Sequence, residues 1–153
     1  MRITGFHRDG GFAEYVAVPE SSLIPLPENL PGNVASLAEP LGCAINALEQ
    51  AGLRPGHRVL IYGAGPVGLL MAMAVRAKDA LPSIREIRPE ILARTENFQS
   101  LMGIRVRQEE SDFHMAINAA PATDTFVRGL PALRPGGCFC LFSGLTKQEP
   151  VPV

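Results

Sequence analysis

Residues 59–70 read Val-Leu-Ile-Tyr-Gly-Ala-Gly-Pro-Val-Gly-Leu-Leu. A short apolar strand runs into Gly63-x-Gly65-x-x-Gly68 and then into an apolar helix, and each glycine meets a different geometric need. Gly63 lets the backbone turn sharply as it leaves the strand. Gly65, lacking a Cβ, lets the main chain approach a pyrophosphate. Gly68 lets the following helix pack close to the sheet, with its N-terminal N–H groups aimed at the phosphate. In isolation the glycine pattern is weak; between a strand and a helix it becomes the phosphate turn of a dinucleotide site. The alternative is a tight strand-to-helix turn with no ligand.

Outward from this turn the hydrophobic period alternates between helix and strand. Upstream, Leu41, Ala44, Ile45 and Leu48 recur at helical spacing, with Pro40 in the first turn and Gly52 closing the helix. Downstream of the first strand, Arg58–Tyr62, residues Val67, Leu70, Met71, Ala74 and Val75 form a second helical stripe. A strand is predicted over Ile84–Ile87, then a helix carrying Ile91, Thr95, Phe98 and Met102 and ended by Gly103. Further strands are predicted at Ile104–Val106, Phe113–Ala120 and Cys138–Phe142, the last after a Gly136-Gly137 turn. A helix through Phe126, Leu130 and Leu133 should be broken or kinked by Pro131. Strands alternating with helices predict a parallel α/β sheet. Before residue 32 the chain is rich in Gly and Pro, with one alternating stretch, Phe12–Val18, predicted as a half-buried strand.

One connection fails a geometric check. In such a sheet the third strand lies at one edge and the fourth beyond the first. The return needs a crossover of ~10–12 residues. Arg107–Asp112 spans at most ~20 Å, so the third strand is expected to be short or displaced.

Composition narrows the class of molecule. The 153 residues are 46% hydrophobic and 19% charged, with a net charge of −1, which gives no electrostatic case for nucleic acid or an anionic membrane. Cys43, Cys138 and Cys140 form neither a CxxC pair nor a disulfide framework, so a cytoplasmic setting is expected. The start of the chain has no apolar core region of a signal peptide, and the apolar run Val59–Val75 is interrupted by glycine and proline, so no membrane span is expected.

Four stretches together resemble the medium-chain dehydrogenase/reductases, in their zinc-dependent alcohol and polyol (sorbitol or threonine dehydrogenase-like) branch. Arg8-Asp-Gly-Gly-Phe-Ala-Glu-Tyr-Val16 resembles the strand returning from the family's GroES-like catalytic domain. Ala38-Glu-Pro-Leu41 resembles the segment entering the interdomain helix, and Gly63-Ala-Gly-Pro-Val-Gly68 the family's glycine turn. Leu133-Arg-Pro-Gly-Gly137 with Gly144 resembles the end of its nucleotide domain. The resemblance implies a Rossmann-type parallel sheet with helices on both faces, incomplete, over residues 41–153, and a small β remnant of the catalytic domain over 1–40. It also implies hydride transfer between a secondary alcohol and a nicotinamide dinucleotide, with zinc polarising the alcohol oxygen.

Carried over by residue, the resemblance places Glu39 at or near a metal. A helix N-terminal glutamate complementing the dipole is the equal alternative. Cys43, one turn on, reads as core. The remaining zinc ligands of the family are not found in this sequence, so zinc is not expected to be held by this chain alone, and the chain reads as a fragment without dehydrogenase activity of its own. Cofactor-binding candidates are Gly63, Gly65, Pro66, Val67, Gly68 and Glu86. Glu86 lies about 20 residues past the turn, where an acidic side chain accepts from the adenosine ribose. That favours NAD, while Arg85, Arg88 and Arg94 keep NADP open; a solvated strand end is the other reading. The resemblance also sets Asn118–Ala120 and Ser143–Gly144 beside the nicotinamide, with Asn118 where an acidic residue is usual. The expected partners are a dinucleotide, an alcohol or polyol in the parent enzyme, and a second copy of the chain. The rival expectation is a non-catalytic, truncated domain that depends on oligomerisation and binds no nucleotide.

Overall fold

The computed structural model describes residues 3–106 and 111–144. Contacts divide the chain into two compact units, Met1–Ser36 and Leu37–Val153.

In the first unit the described residues form a single 3-10 turn at Glu20–Ser22, a short helix α1 at Gly32–Ala35, and one isolated bridge between Thr4 and Arg8. The strand predicted over Phe12–Val18 is not formed. Its alternation is real, but the segment has no neighbouring strand among the described residues to share a ladder with, and Phe12 and Tyr15 lie fully exposed. Alternation without a pairing partner does not make a strand.

The second unit is the α/β sheet. Its elements run α2 (Ala38–Gln50), β1 (Arg58–Tyr62), α3 (Pro66–Ala77), β2 (Leu81–Arg85), α4 (Pro89–Leu101), β3 (Arg105–Val106), β4 (Phe113–Asn118), α5 (Asp124–Ala132) and β5 (Leu133–Leu141). All strand pairs are parallel, in the order β3-β2-β1-β4-β5. The order reverses between β1 and β4. Ligands of open α/β sheets bind outside the carboxyl ends of the strands at such a reversal.

The core lies on both faces of the sheet. Val59, Ile61, Ile84, Met115 and Ile117 pack with Ala44 and Leu48 of α2 and Met71, Ala72 and Val75 of α3, nearly all at zero exposure. Each large side chain there contributes roughly 1.5–3 kcal/mol of burial free energy. The opposite face places Leu60, Tyr62 and Ala116 against Ala132 of α5, with Phe139 alongside. Gly129 of α5 makes room for this packing, because a Cβ on it would lie 2.1 Å from the Phe139 ring and displace it. The stripe Leu41, Ala44, Ile45, Leu48 does form one face of α2. The helix closes at Gly52, whose φ of 70° is left-handed.

Several boundaries differ from expectation, each for a local reason. β2 spans Leu81–Arg85 rather than Ile84–Ile87, and Pro82 lies inside it. Leu81 donates its N–H to the carbonyl of His57 on the β1 side. The proline nitrogen therefore faces the β3 side, where pairing begins only at Ser83, and no ladder bond is lost. β4 ends at Asn118 instead of Ala120. β5 starts at Leu133, not Cys138. The Gly136-Gly137 turn becomes an irregularity within the strand, where Phe113 and Met115 of β4 pair with Leu133 and Cys138, and Gly136 takes φ 75°. Pro131 falls in the last turn of α5, which ends one residue later. β3 is two residues long at the sheet edge, the short strand that the connection requires. Residues 107–110 of that connection lie outside the described residues.

Candidate functional site

The glycine turn sits at the carboxyl end of β1, and its local geometry follows from its sequence. Gly63 leaves the strand at φ 107°, a conformation that side chains rarely adopt. Its N–H donates to the carbonyl of Arg85 at 2.8 Å, tying the turn to β2. Gly65 is extended (φ −68°, ψ 176°) and caps α3, with Pro66 as its first helical residue. A Cβ on Gly68 would lie 2.0 Å from the carbonyl oxygen of Gly63, so α3 can approach the turn only through a glycine. A Cβ on Gly65 would meet nothing within 4 Å. The Gly65 backbone borders open space at the N-terminus of α3, where the first-turn N–H groups have no partner within the helix.

Glu86, one residue past β2, is brought to this turn. Its side chain is only 5% exposed. Oε2 accepts from the backbone N–H of Ala64 at 3.0 Å. Oε1 accepts from the N–H groups of Ile87 (2.9 Å) and Arg88 (3.0 Å) and from Arg88 Nε at 3.4 Å. Burial pushes the carboxyl pKa up, but the donors of Ala64, Arg88 and Ile87 outweigh it, and the net shift is downward. Glu86 is therefore an anion at neutral pH, with lone-pair capacity remaining on Oε2.

Beside the turn lies an open cleft of about 210 Å³, between the ends of β1 and β2 and the start of α5. Tyr62, Gly63, Arg85, Glu86, Ile87 and Arg128 are among its walls. Burial pushes the Tyr62 hydroxyl pKa up, against the pull of the Arg85 guanidinium. On the same face, the fully buried Asn118 donates to Ala122 O at 3.4 Å and to the Thr125 hydroxyl. Ser143 N–H donates to Asn118 O at 2.9 Å, which joins the ends of β4 and β5. Of Arg85, Arg88 and Arg94, only Arg85 lines the cleft; Arg88 pairs with Glu86. The α5 wall, Asp124, Thr125 and Arg128, was not singled out from the sequence. Its signal would have been the polar first turn of α5 facing the end of β1.

Glu39 lies exposed in the first turn of α2, where the Cys43 thiol donates to its Oε1 at 3.7 Å. Cys43 is exposed, not core. No group of three or more His, Cys, Asp or Glu side chains among the described residues could hold a metal ion. A zinc site needs three or four ligands, so the described residues do not fit one.

No family model matches the chain. D-xylulose reductase A of Aspergillus oryzae is 31% identical over 161 residues, covering 92% of this chain and 44% of that protein. L-galactonate-5-dehydrogenase of Escherichia coli is 36% identical over 89 residues, covering 58% of this chain and 26% of that protein. The homologues are zinc-type alcohol and polyol dehydrogenases. A structure of a zinc-binding dehydrogenase homologue from Sinorhizobium meliloti bound to NADP superimposes with a TM-score of 0.87. It is 24% identical and covers 99% of this chain and 48% of that one, which shows the fold. This dehydrogenase homologue thus has the medium-chain dehydrogenase fold, and it spans less than half the length of the D-xylulose reductase it matches. No helix among its described residues is long and apolar enough to cross a membrane.

Acid sensitivity follows from the two depressed pKa values in this unit. The His57 pKa is lowered by burial and by the positive charges of His114, Arg54 and Arg134; that of Glu86 is lowered by its donors. In both cases the unfolded chain binds protons more readily than the folded one. Stability is therefore full above the ordinary values, 6.5 for His57 and 4.5 for Glu86, and is lost as pH falls through the folded values. The thermal midpoint is expected to decline in two phases on acidification, the first beginning below about 6.5 and the second below about 4.5. His57→Gln should flatten the first phase and leave the second. A profile unchanged by His57→Gln would contradict the assignment.

Proposed function

We propose that this chain binds a nicotinamide dinucleotide at Gly63–Gly68 and is the cofactor-binding portion of a zinc-type dehydrogenase acting on an alcohol or polyol. Residues 41–153 correspond to the nucleotide domain and residues 1–40 to part of the catalytic domain. The observation that carries the reading is the open space over Gly65 at the topological reversal of the sheet, in a turn where Gly63 and Gly68 are sterically obligatory. The names of the homologues support the class of reaction.

In this reading the pyrophosphate lies over Gly65 with the N–H groups of Val67 and Gly68 as donors, and Pro66 contributes none. The adenosine half enters the cleft beside Ile87, and the free lone pair of Glu86 Oε2 accepts from a ribose hydroxyl. The bound cofactor supplies hydride transfer with the alcohol carbon. The residues of this chain bind and orient it. Glu39 can give a zinc ion one carboxylate oxygen; the other ligands would have to come from outside the described residues. A second copy of the chain is the proposed partner in solution, and the cytoplasm the proposed compartment.

Cofactor preference tests the role of Glu86. A buried, anionic carboxylate beside the ribose repels a 2′-phosphate, so NADH is expected to bind at least about tenfold more tightly than NADPH, a difference of about 1.4 kcal/mol. Glu86→Gln should narrow that ratio, read by fluorescence titration of the two reduced cofactors. Equal affinities in the parent chain, or an unchanged ratio in the variant, would remove Glu86 from the site.

A further inference from the structure

At the end of the sheet remote from the glycine turn, two histidine rings stack. His57 precedes β1 and His114 is the second residue of β4; their centroids are 4.5 Å apart and their planes 16° from parallel. Among the described residues the charges around them are mainly positive. Arg54 precedes His57, and Arg58 opens β1 with its guanidinium 5.0 Å from the Phe113 ring centre. Arg134 of β5 reaches His114. Asp112, an acidic side chain among the described residues, lies 3.4 Å from Arg58 Nη1.

The hydrogen bonding of His114 does not close by itself. Its Nδ1 accepts the backbone N–H of Arg58 at 3.1 Å, which caps the open end of the β1 ladder. A neutral imidazole that accepts at Nδ1 carries its proton on Nε2. Yet Nε2 lies 2.8 Å from Arg134 Nη1, and a guanidinium can only donate. Two donors therefore face each other, and protonating the ring makes the conflict worse. The His57 Nδ1 likewise accepts a backbone N–H, that of Arg54 at 3.4 Å, which leaves Nε2 as the donor of a neutral ring. An acceptor oxygen set beside Arg134 and His114 would take the protons of Nη1 and Nε2 together.

We propose that His114, Arg134 and His57 form a binding site for a small oxyanion, a phosphate either free or as the end group of a phosphomonoester. Phosphate offers several acceptor oxygens and matches the fork of an arginine. The anion would also offset the mutual repulsion of the guanidinium groups of Arg54, Arg58 and Arg134.

The test is NMR detection of the histidine ring nitrogens of the full chain at pH 6, with ionic strength held constant by sodium chloride. Inorganic phosphate and glycerol 3-phosphate are titrated separately. The expected result is a saturable shift of the His57 and His114 ring signals with a millimolar midpoint, weakened at least about tenfold by Arg134→Gln. Arg134→Lys, which keeps the charge, should fall between. Tighter binding of glycerol 3-phosphate identifies a phosphorylated small molecule as the source; equal or weaker binding identifies free phosphate. Shifts that do not saturate, or an Arg134→Gln variant that binds like the parent, would overturn the proposal. Because the signals arise at the opposite end of the strands, phosphate entering the glycine turn does not produce this result.

Discussion

Gly68→Ala is expected to unfold the α/β unit or lower its thermal midpoint by about 10 °C. The new Cβ would lie 2.0 Å from Gly63 O and 3.0 Å from Gly63 C, and both are backbone atoms that no rotamer change can move. Either α3 must withdraw from the sheet or the turn must open. Withdrawal exposes Met71, Ala72 and Val75, all at zero exposure in the core. Overpacking of this kind costs about 3 kcal/mol or more when the backbone itself must shift, which for a chain of this size is about 6–12 °C. Calorimetric melting of the variant checks it. A midpoint within about 2 °C of the parent would mean that the turn and helix are not packed as described.

Gly65→Val should have the opposite profile. Gly65 has ordinary extended dihedrals, and a side chain there meets nothing within 4 Å. The fold should lose only the modest cap preference of glycine over valine, about 1 kcal/mol or less. Yet the branched side chain would fill the space assigned to the pyrophosphate. Nucleotide affinity should fall on the order of 100-fold, or about 2.7 kcal/mol. The contrast between the two variants separates glycines that permit the fold from one that permits the ligand. If Gly65→Val melted as early as Gly68→Ala, the open space over Gly65 would be wrong.

Much of this architecture was legible in the sequence because its signals are local. A strand, three glycines at fixed offsets and an apolar stripe are set by backbone sterics within 20 residues. The short β3 was legible from chain length alone. What escaped depends on distant partners. Phe12–Val18 alternates as a strand should, but alternation does not supply a neighbour to bond with. Pro82 masks the start of β2, since only the sheet order shows that its nitrogen faces a side with no partner. The start of β5 at Leu133 rests on pairing with Phe113 across an irregular register. The cleft's α5 wall is built by residues about 60 positions beyond the glycine turn, and no spacing rule connects them. Glu86 was found by its offset, but its anchoring by Ala64, Ile87 and Arg88 was not.

The most direct measurement is a calorimetric titration of NADH into the full chain, run beside Gly65→Val at matched folded concentration. Saturable binding by the parent, and its loss in a variant that still melts near the parent midpoint, is the predicted result. No heat from NAD, NADH or NADPH at millimolar concentration with the folded parent, or equal binding by Gly65→Val, would contradict a dinucleotide site at Gly63–Gly68.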